Sequence, residues 1–217
     1  MKGRRSLVLG KTVFALLGFS ALVTEVATLV AGHRFVAGDF FSYFTVEANT
    51  LAVISLLLSA FAVATRTTRR ALDIFRGAVA LYMTTTILIF VVLLSGYPSS
   101  ELTAVPWDNT VLHYLMPIAV IADWLIAGRV PPIRYRSALA WLLFPLAYLV
   151  YSLIRGSIVE WYPYPFLNPA TRGYSGVLIS SAVIAVVLAG VTVVIASVPR
   201  WQRWDPLRVG LRPTPPG

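Results

Sequence analysis

Long apolar segments separated by short polar connections dominate this chain. Each segment is close to the roughly 20 residues that a helix needs to cross about 30 Å of hydrocarbon. Backbone amides have to be paired inside lipid, and strand-like alternation is absent, so these segments predict helices. They cover about residues 10–31, 43–64, 76–94, 110–127, 137–154 and 174–198. The predicted fold is an all-α polytopic membrane protein, a bundle of six transmembrane helices.

The connections are too short to hold a second folded unit, so residues 1–198 are predicted to form a single transmembrane domain. Residues 199–217 are rich in Pro and Arg, and we expect them to be a disordered cytoplasmic tail. The first apolar segment follows a basic stretch, as a signal peptide does. It is long and carries Glu25, so we expect a retained span.

The distribution of basic residues predicts the orientation. Of the 18 Lys and Arg residues, only Arg34, Arg155 and Arg172 fall in connections that would be external if the N-terminus is cytoplasmic. This bias places both termini inside. The net charge of +9 therefore indicates contact with anionic lipid headgroups at the inner face rather than with nucleic acid.

Composition narrows the chemistry. The chain is 58% hydrophobic and 12% charged, which is typical of membrane proteins. It contains no Cys and two His residues, which excludes thiol chemistry and makes a poor transition-metal site. We therefore expect neither a metal nor a cofactor.

Polar residues inside the apolar segments are the candidates for function, because burying them in lipid is costly. Thr45 and Asn49 are four residues apart, hence on one face of the second helix, and Glu47 points away from them. Asn109 and His113 have the same spacing on the fourth helix. Both helices run from outside to inside, so we expect the two polar pairs at similar depth.

A hydroxyl and an imidazole at matched depth fit a nucleophile and its general base. A neutral His can take the proton of a Thr hydroxyl as it attacks an ester carbonyl. Asn49 and Asn109 are candidate donors to the resulting oxyanion. Glu47 or Asp108 is a candidate to orient the imidazole, and Asp108 and Asn109 are also expected to cap the fourth helix. An ordinary hydrogen bond between helices explains the same residues without catalysis.

Further residues are assigned to the substrate pocket: Glu25, Glu47, Tyr114, Arg155, Trp161 and Tyr162. The aromatic and proline-rich segment 161–166 is expected either to lie in the interface or to dip back as a lid. Asp123 lies about 15 Å deeper than His113 at 1.5 Å per residue. It is expected to bind a backbone donor or Trp124, or to anchor its helix near the inner surface.

Three short motifs occur in a fixed order: Tyr-Phe-Thr-x-x-x-Asn (43–49), Asn-x-x-x-His (109–113) and Trp-Tyr-Pro-x-x-Phe (161–166). This set resembles the androgen-induced/FAR-17a-like integral membrane family, and more so its actinobacterial six-helix Pr6Pr branch, over about residues 10–198. Animal members hydrolyse fatty acid esters of hydroxy fatty acids with one Thr and one His. The resemblance implies those roles for Thr45 and His113, a membrane lipid or fatty acyl ester as substrate, and the bacterial plasma membrane as location.

Three functional interpretations of the sequence therefore remain open. The first is an intramembrane threonine hydrolase that cleaves a lipid ester with a Thr/His dyad. The alternative is a small proton-coupled carrier in which Glu25, Glu47, His113, Asp123 and Arg155 form a relay, or a non-catalytic lipid-binding protein. A hydrolase requires Thr45 beside His113, whereas a carrier requires a continuous polar path to Asp123. The oligomeric state is not predicted.

Overall fold

A computed structural model describes residues 2–67, 69–97, 103–126 and 130–201, and these residues contain helices and no strand. Six of the helices are long and apolar enough to cross a membrane. In chain order the helices are α1 (Lys2–Ala31), the short α2 (Ala37–Phe40), α3 (Phe44–Thr65), α4 (Arg70–Leu94), α5 (Pro106–Ile126), α6 (Tyr135–Val159) and α7 (Pro169–Trp201). The predicted all-α, multi-pass membrane fold is confirmed.

Helix α4 lies at the centre of the bundle. It packs against α3, α5 and α7, and α1 packs along α3. Val79, Leu81 and Met83 of α4 are fully buried. The outer helices expose large apolar side chains, as expected of surfaces that contact lipid.

The ends of several helices differ from the sequence expectation. Helix α1 begins at Lys2, well before the apolar segment does, and α7 continues through Pro199 to Trp201, past the expected boundary at residue 198. The remainder of the expected tail, residues 202–217, lies outside the described residues.

The buried apolar side chains of the bundle form one continuous core.

Helix α5 begins before the residues expected to cap it. Val105 is the N-cap residue and Pro106 occupies the first turn, where its missing N–H and fixed φ suit a helix start. Asp108 and Asn109 lie inside the helix and are buried. The predicted capping role of these two residues is therefore wrong.

One π-helical turn of α4 and one of α5 lie beside each other at one end of the bundle. Phe90–Leu94 closes α4, and Val111–Leu115 lies within α5. Pro117 has no N–H to donate to the carbonyl of His113, four residues earlier, which accounts for irregular helix geometry at this point. The turn in α5 carries His113 itself.

The segment after α6 folds back into the bundle. Tyr164, Phe166 and Leu167 are buried, and residues 165–167 form a single 3-10 turn. Tyr162 packs so closely on Gly156 of α6 that no Cβ fits there. The segment therefore packs into the bundle, and its depth relative to the membrane interface stays a prediction.

Candidate active site

Thr45 and His113 meet between α3 and α5. The Thr45 Oγ1 atom lies 3.4 Å from His113 Nε2. Both side chains are buried, with 8% and 5% of their surface exposed. The spacing is at the long end of a hydrogen bond, which is common for catalytic pairs without substrate. The structure thus brings the two expected residues together.

A backbone carbonyl determines which nitrogen of His113 carries the proton. His113 Nδ1 lies 3.1 Å from the carbonyl oxygen of Asn109. A carbonyl only accepts hydrogen bonds, so Nδ1 carries the proton in the neutral ring. Nε2 is left with its lone pair directed at the Thr45 hydroxyl, which is the arrangement that a general base requires.

Tyr164 completes this group, although the sequence does not single out this residue. Its hydroxyl lies 3.3 Å from Thr45 Oγ1 and accepts a hydrogen bond of 3.4 Å from the Thr45 N–H. Hydrogen bonds then run in one direction, from Tyr164 to Thr45 to His113 to the carbonyl of Asn109. Burial raises the pKa of Tyr164 to about 12, so its phenol stays protonated and can donate.

The imidazole is held from its face as well as its edge. Phe90 stacks on His113 with ring centroids 4.2 Å apart and an interplanar angle of 26°. Tyr114 packs edge-on against the same Phe90 at 5.1 Å, and so supports the stack rather than lining a pocket. The sequence does not indicate Phe90 as a site residue, because aromatic residues are common in apolar helices.

Two cavities meet at Thr45. An apolar cavity of about 320 Å³ lies between α4, α6 and α7. A more polar cavity of about 560 Å³ lies beside the first and is lined by residues that include Glu25, Arg34 and His113. Thr45 and Tyr164 line both cavities. The hydroxyl group of Thr45 therefore lies where an apolar compartment joins a polar one.

Asn49 does not have the expected role of an oxyanion donor. Its Nδ2 group donates to the carbonyls of Thr45, at 2.9 Å, and of Leu112, at 3.1 Å. Both of its hydrogens are engaged, so none is available for a substrate. Asn49 instead ties α3 to the π-turn that carries His113, and its Oδ1 atom is buried without a hydrogen-bond partner in the described part of the chain.

The carboxylates expected to orient the imidazole do not do so, because Nδ1 of His113 is bound to the carbonyl of Asn109. Asp108 is fully buried beside the carboxyl group of Glu25, which accepts the N–H of Ala104 at 2.8 and 2.9 Å. The carboxyl group of Glu47 forms no hydrogen bond or ion pair with a described residue, and it lies on the wall of neither cavity at Thr45.

Asn109 contributes its main chain rather than its side chain to the group around Thr45. Its carbonyl accepts the Nδ1 proton of His113. Its side-chain Oδ1 is buried and has no partner within the described residues. The main chain of Asn109 therefore orients the imidazole, its side chain lines neither cavity at Thr45, and its role as an oxyanion donor stays a prediction.

Arg155 is already paired and does not line the polar cavity, contrary to the sequence expectation. Its Nη2 atom lies 2.6 Å from Asp39 Oδ1, and its guanidinium covers the ring of Trp161 at 5.2 Å. Trp161 and Tyr162 do line that cavity, as expected. Arg34 is a cation that lines the cavity, and sequence reasoning misses it because it lies in a short loop.

Tyr43 stands at the wall of the same cavity, just before α3. Burial raises its pKa, and the nearby carboxylates of Asp39 and Glu25 raise it further. The phenol is therefore neutral at ordinary pH. Its ring packs edge-on against both Trp161, at 5.7 Å, and Tyr164, at 5.8 Å, and so holds the returning segment in place.

Asp123 belongs to the opposite end of the bundle. It forms ion pairs with Lys11 of α1 and Arg76 of α4, the latter at 2.8 Å. The neighbouring Trp124 donates instead to the carbonyl of Ile195. Of the roles expected for Asp123, the structure has the anchoring one, because these pairs join three helices.

Fold and site together define a multi-pass helical membrane protein with a buried Thr–His–Tyr group at the junction of two cavities. Comparison with known protein families, with curated proteins and with solved structures finds no match to this chain.

Proposed function

We propose that this protein is an intramembrane hydrolase that cleaves a lipid ester, with Thr45 as nucleophile and His113 as general base. The observation that carries the proposal is the directed row of hydrogen bonds, in which Tyr164 precedes Thr45 and the neutral imidazole follows it. A nucleophile, a base and a group that orients the base are the parts that acyl transfer needs.

The reaction proceeds in two steps. Thr45 Oγ1 attacks the ester carbonyl as His113 Nε2 takes its proton, and the resulting tetrahedral oxyanion is stabilised by the phenol of Tyr164. The oxyanion collapses, the alcohol leaves with the proton from His113, and an acyl ester of Thr45 remains. Water then attacks this ester as His113 Nε2 takes its proton, Thr45 Oγ1 leaves with that proton, and the fatty acid is released and ionises to a carboxylate.

The two cavities support an amphiphilic ester as substrate. The apolar cavity between α4, α6 and α7 suits an acyl chain, and the polar cavity suits the alcohol portion and the attacking water. A substrate held in both places its ester group at the junction, beside Thr45. This placement is the orientation that makes attack effectively intramolecular.

The orientation inferred from charge forms part of the proposal. The basic ends of the helices face the cytoplasm of a bacterial cell, and the Thr–His–Tyr group faces the outer leaflet of its plasma membrane. The substrate then enters from that leaflet, and both termini are cytoplasmic.

The carrier interpretation has less support. Residues 115–122 of α5, which separate the region of His113 from Asp123, are all apolar. The cavity at Asp123 shares no lining residue with the two at Thr45. A relay between these two ends of the bundle would therefore have no polar side chain on this stretch of α5 to pass through.

The test is hydrolysis of methylumbelliferyl oleate and of a branched fatty acyl ester by the purified protein in detergent. Thr45→Val replaces the hydroxyl with a methyl group of similar size, and His113→Gln removes the base. We expect both variants to lose activity and Thr45→Ser to retain part of it. Thr50→Val, on the exposed side of the same helix, is the matched control and should behave as the wild type.

A fluorophosphonate probe provides an independent readout, because its phosphorus forms a bond with an activated hydroxyl as fluoride leaves. Mass spectrometry should find the adduct on Thr45 in the wild type and not in His113→Gln. A wild-type protein that neither hydrolyses esters nor takes up the probe would contradict the proposal. Labelling that is unchanged in His113→Gln would remove His113 from the mechanism.

A further inference from the structure

A third cavity, larger than the two at Thr45, lies at the opposite end of the bundle. It has a volume of about 930 Å³ and is lined by residues of α1, α3, α4 and α5 and of the α3–α4 turn. One part of its wall is apolar and includes Phe14, Leu56, Leu115 and Ile118. Its rim is strongly basic. The proposed hydrolase does not use this cavity.

The charges deep in this cavity balance one another. Lys11 and Arg76 both pair with Asp123, and Arg76 also lies 3.8 Å from Asp73. These four side chains are mostly withdrawn from solvent, with exposures of 8%, 11%, 16% and 19%. The floor of the cavity is therefore nearly neutral and braces α1, α4 and α5.

The rim carries the uncompensated charge. Arg66 ends α3 and Arg69 precedes α4, and neither forms an ion pair within the part of the chain that the structure describes. Arg70 donates to two backbone carbonyls of the α5–α6 connection, both at 2.8 Å, which leaves its positive charge in place. The nearby Asp73 already shares its charge with Arg76. Three guanidinium groups thus border an opening whose walls are apolar.

We propose that this cavity binds an anionic phospholipid from the leaflet at the basic end of the bundle, with its phosphate against Arg66, Arg69 and Arg70. Guanidinium groups match the geometry of phosphate oxygens, and each adds attraction for an anionic lipid. The apolar wall below the rim receives the upper part of an acyl chain. A free phosphate would use the rim alone, and an uncharged lipid only the wall.

The chain's own C-terminal segment is a poor occupant on grounds of charge. Residues 202–217 contain Arg203, Arg208 and Arg212 and one acidic residue, Asp205. A segment with this net positive charge is repelled by a basic rim. An anionic amphiphile is the complementary partner.

The test measures lipid binding by the full-length protein in a neutral detergent, using native mass spectrometry and a thermal-shift titration. The probes are dioleoyl phosphatidylglycerol, dioleoyl phosphatidylcholine with the same chains and no net charge, and glycerol phosphate with no chains. We expect binding and stabilisation by phosphatidylglycerol, and much weaker effects of the other two at equal concentration.

Two variants locate the site. The double variant Arg66→Gln/Arg69→Gln changes exposed side chains and should weaken phosphatidylglycerol binding about tenfold to thirtyfold. Gly10→Leu adds a side chain into the open space of the cavity and should also reduce binding. Gly190→Leu is the matched control, since its added Cβ also meets no atom within 4 Å and lies away from this cavity.

Equal binding of phosphatidylcholine, or full competition by glycerol phosphate, would overturn the proposal of an anionic lipid site. Unchanged binding in both site variants would overturn its location. Ester hydrolysis measured on the same samples separates this proposal from the first, because neither variant changes a residue near Thr45 or His113.

Discussion

The hydroxyl of Tyr164 lies 3.3 Å from Thr45 Oγ1, although 119 residues separate the two in the chain. Tyr164 belongs to the segment that folds back after α6, while Thr45 is in the first turn of α3. The contact places a second hydroxyl at the candidate nucleophile, in addition to the imidazole. It makes the returning segment a structural part of the site.

Tyr164→Phe should lower kcat for ester hydrolysis by about 10²–10³-fold, because it removes a buried donor to the oxyanion. The ring and its stack with Phe166, whose centroids are 5.2 Å apart, remain. KM should change little. Steady-state kinetics would check this, and Tyr174→Phe, whose ring is exposed, is the control. An unaltered kcat would exclude Tyr164 as the donor.

The phenol of Tyr164 should ionise only near pH 12, since burial raises its pKa to about that value. The ultraviolet difference titration between wild type and Tyr164→Phe should show this phenolate well above the ordinary value of about 10. Because the folded-state pKa is the higher one, the linked stability is complete below about pH 10 and is lost as pH rises towards 12. A difference signal centred at about pH 10 would show that the residue is open to water.

Asn49→Leu should destabilise the protein by about 1–3 kcal/mol and lower activity as well. The change leaves the carbonyls of Thr45 and Leu112 without the donor that they share, and it unties α3 from the turn that carries His113. Thermal unfolding in detergent measures the effect. Thr50→Ala, which removes an exposed hydroxyl from the same helix, should shift the transition far less.

Asp123→Asn should be among the most destabilising single changes, at about 3 kcal/mol, because it leaves Lys11 and Arg76 without their shared carboxylate. Asp39→Asn breaks a more exposed pair with Arg155 and should cost about 1 kcal/mol or less. The comparison uses the same unfolding assay. Similar transition temperatures for the two variants would contradict the bracing role of Asp123.

The similar depth of Thr45 and His113 is predictable from the sequence because it depends on local rules, whereas their direct contact is a tertiary one. Side chains four residues apart share a helix face, and the direction of each helix places both pairs at one end of the bundle. The four-residue spacing predicts which helix face a residue occupies, but it does not predict the hydrogen-bond partner of its side chain. Asn49 has the expected face, and its amide is nevertheless engaged by two carbonyls.

The sequence does not indicate Tyr164 and Arg34 as site residues, for a related reason. Both lie in connections, where no periodicity indicates direction, and their positions depend on how those connections fold over the bundle. The density of aromatic and proline residues in segment 161–166 is the available signal, and it identifies the segment without identifying the residue that enters the site. Arg155 is expected at the pocket, but Asp39 on the short α2 pairs with its charge.

The sequence by itself determined the six spans, because the length and apolarity of a segment decide locally whether it can cross lipid. It also determined that Thr45 and His113 share a depth. Only the tertiary structure decided that Tyr164 joins them, that Asp123 braces three helices, and that two cavities meet at Thr45. Those features come from packing between distant segments, whose geometry no local pattern contains.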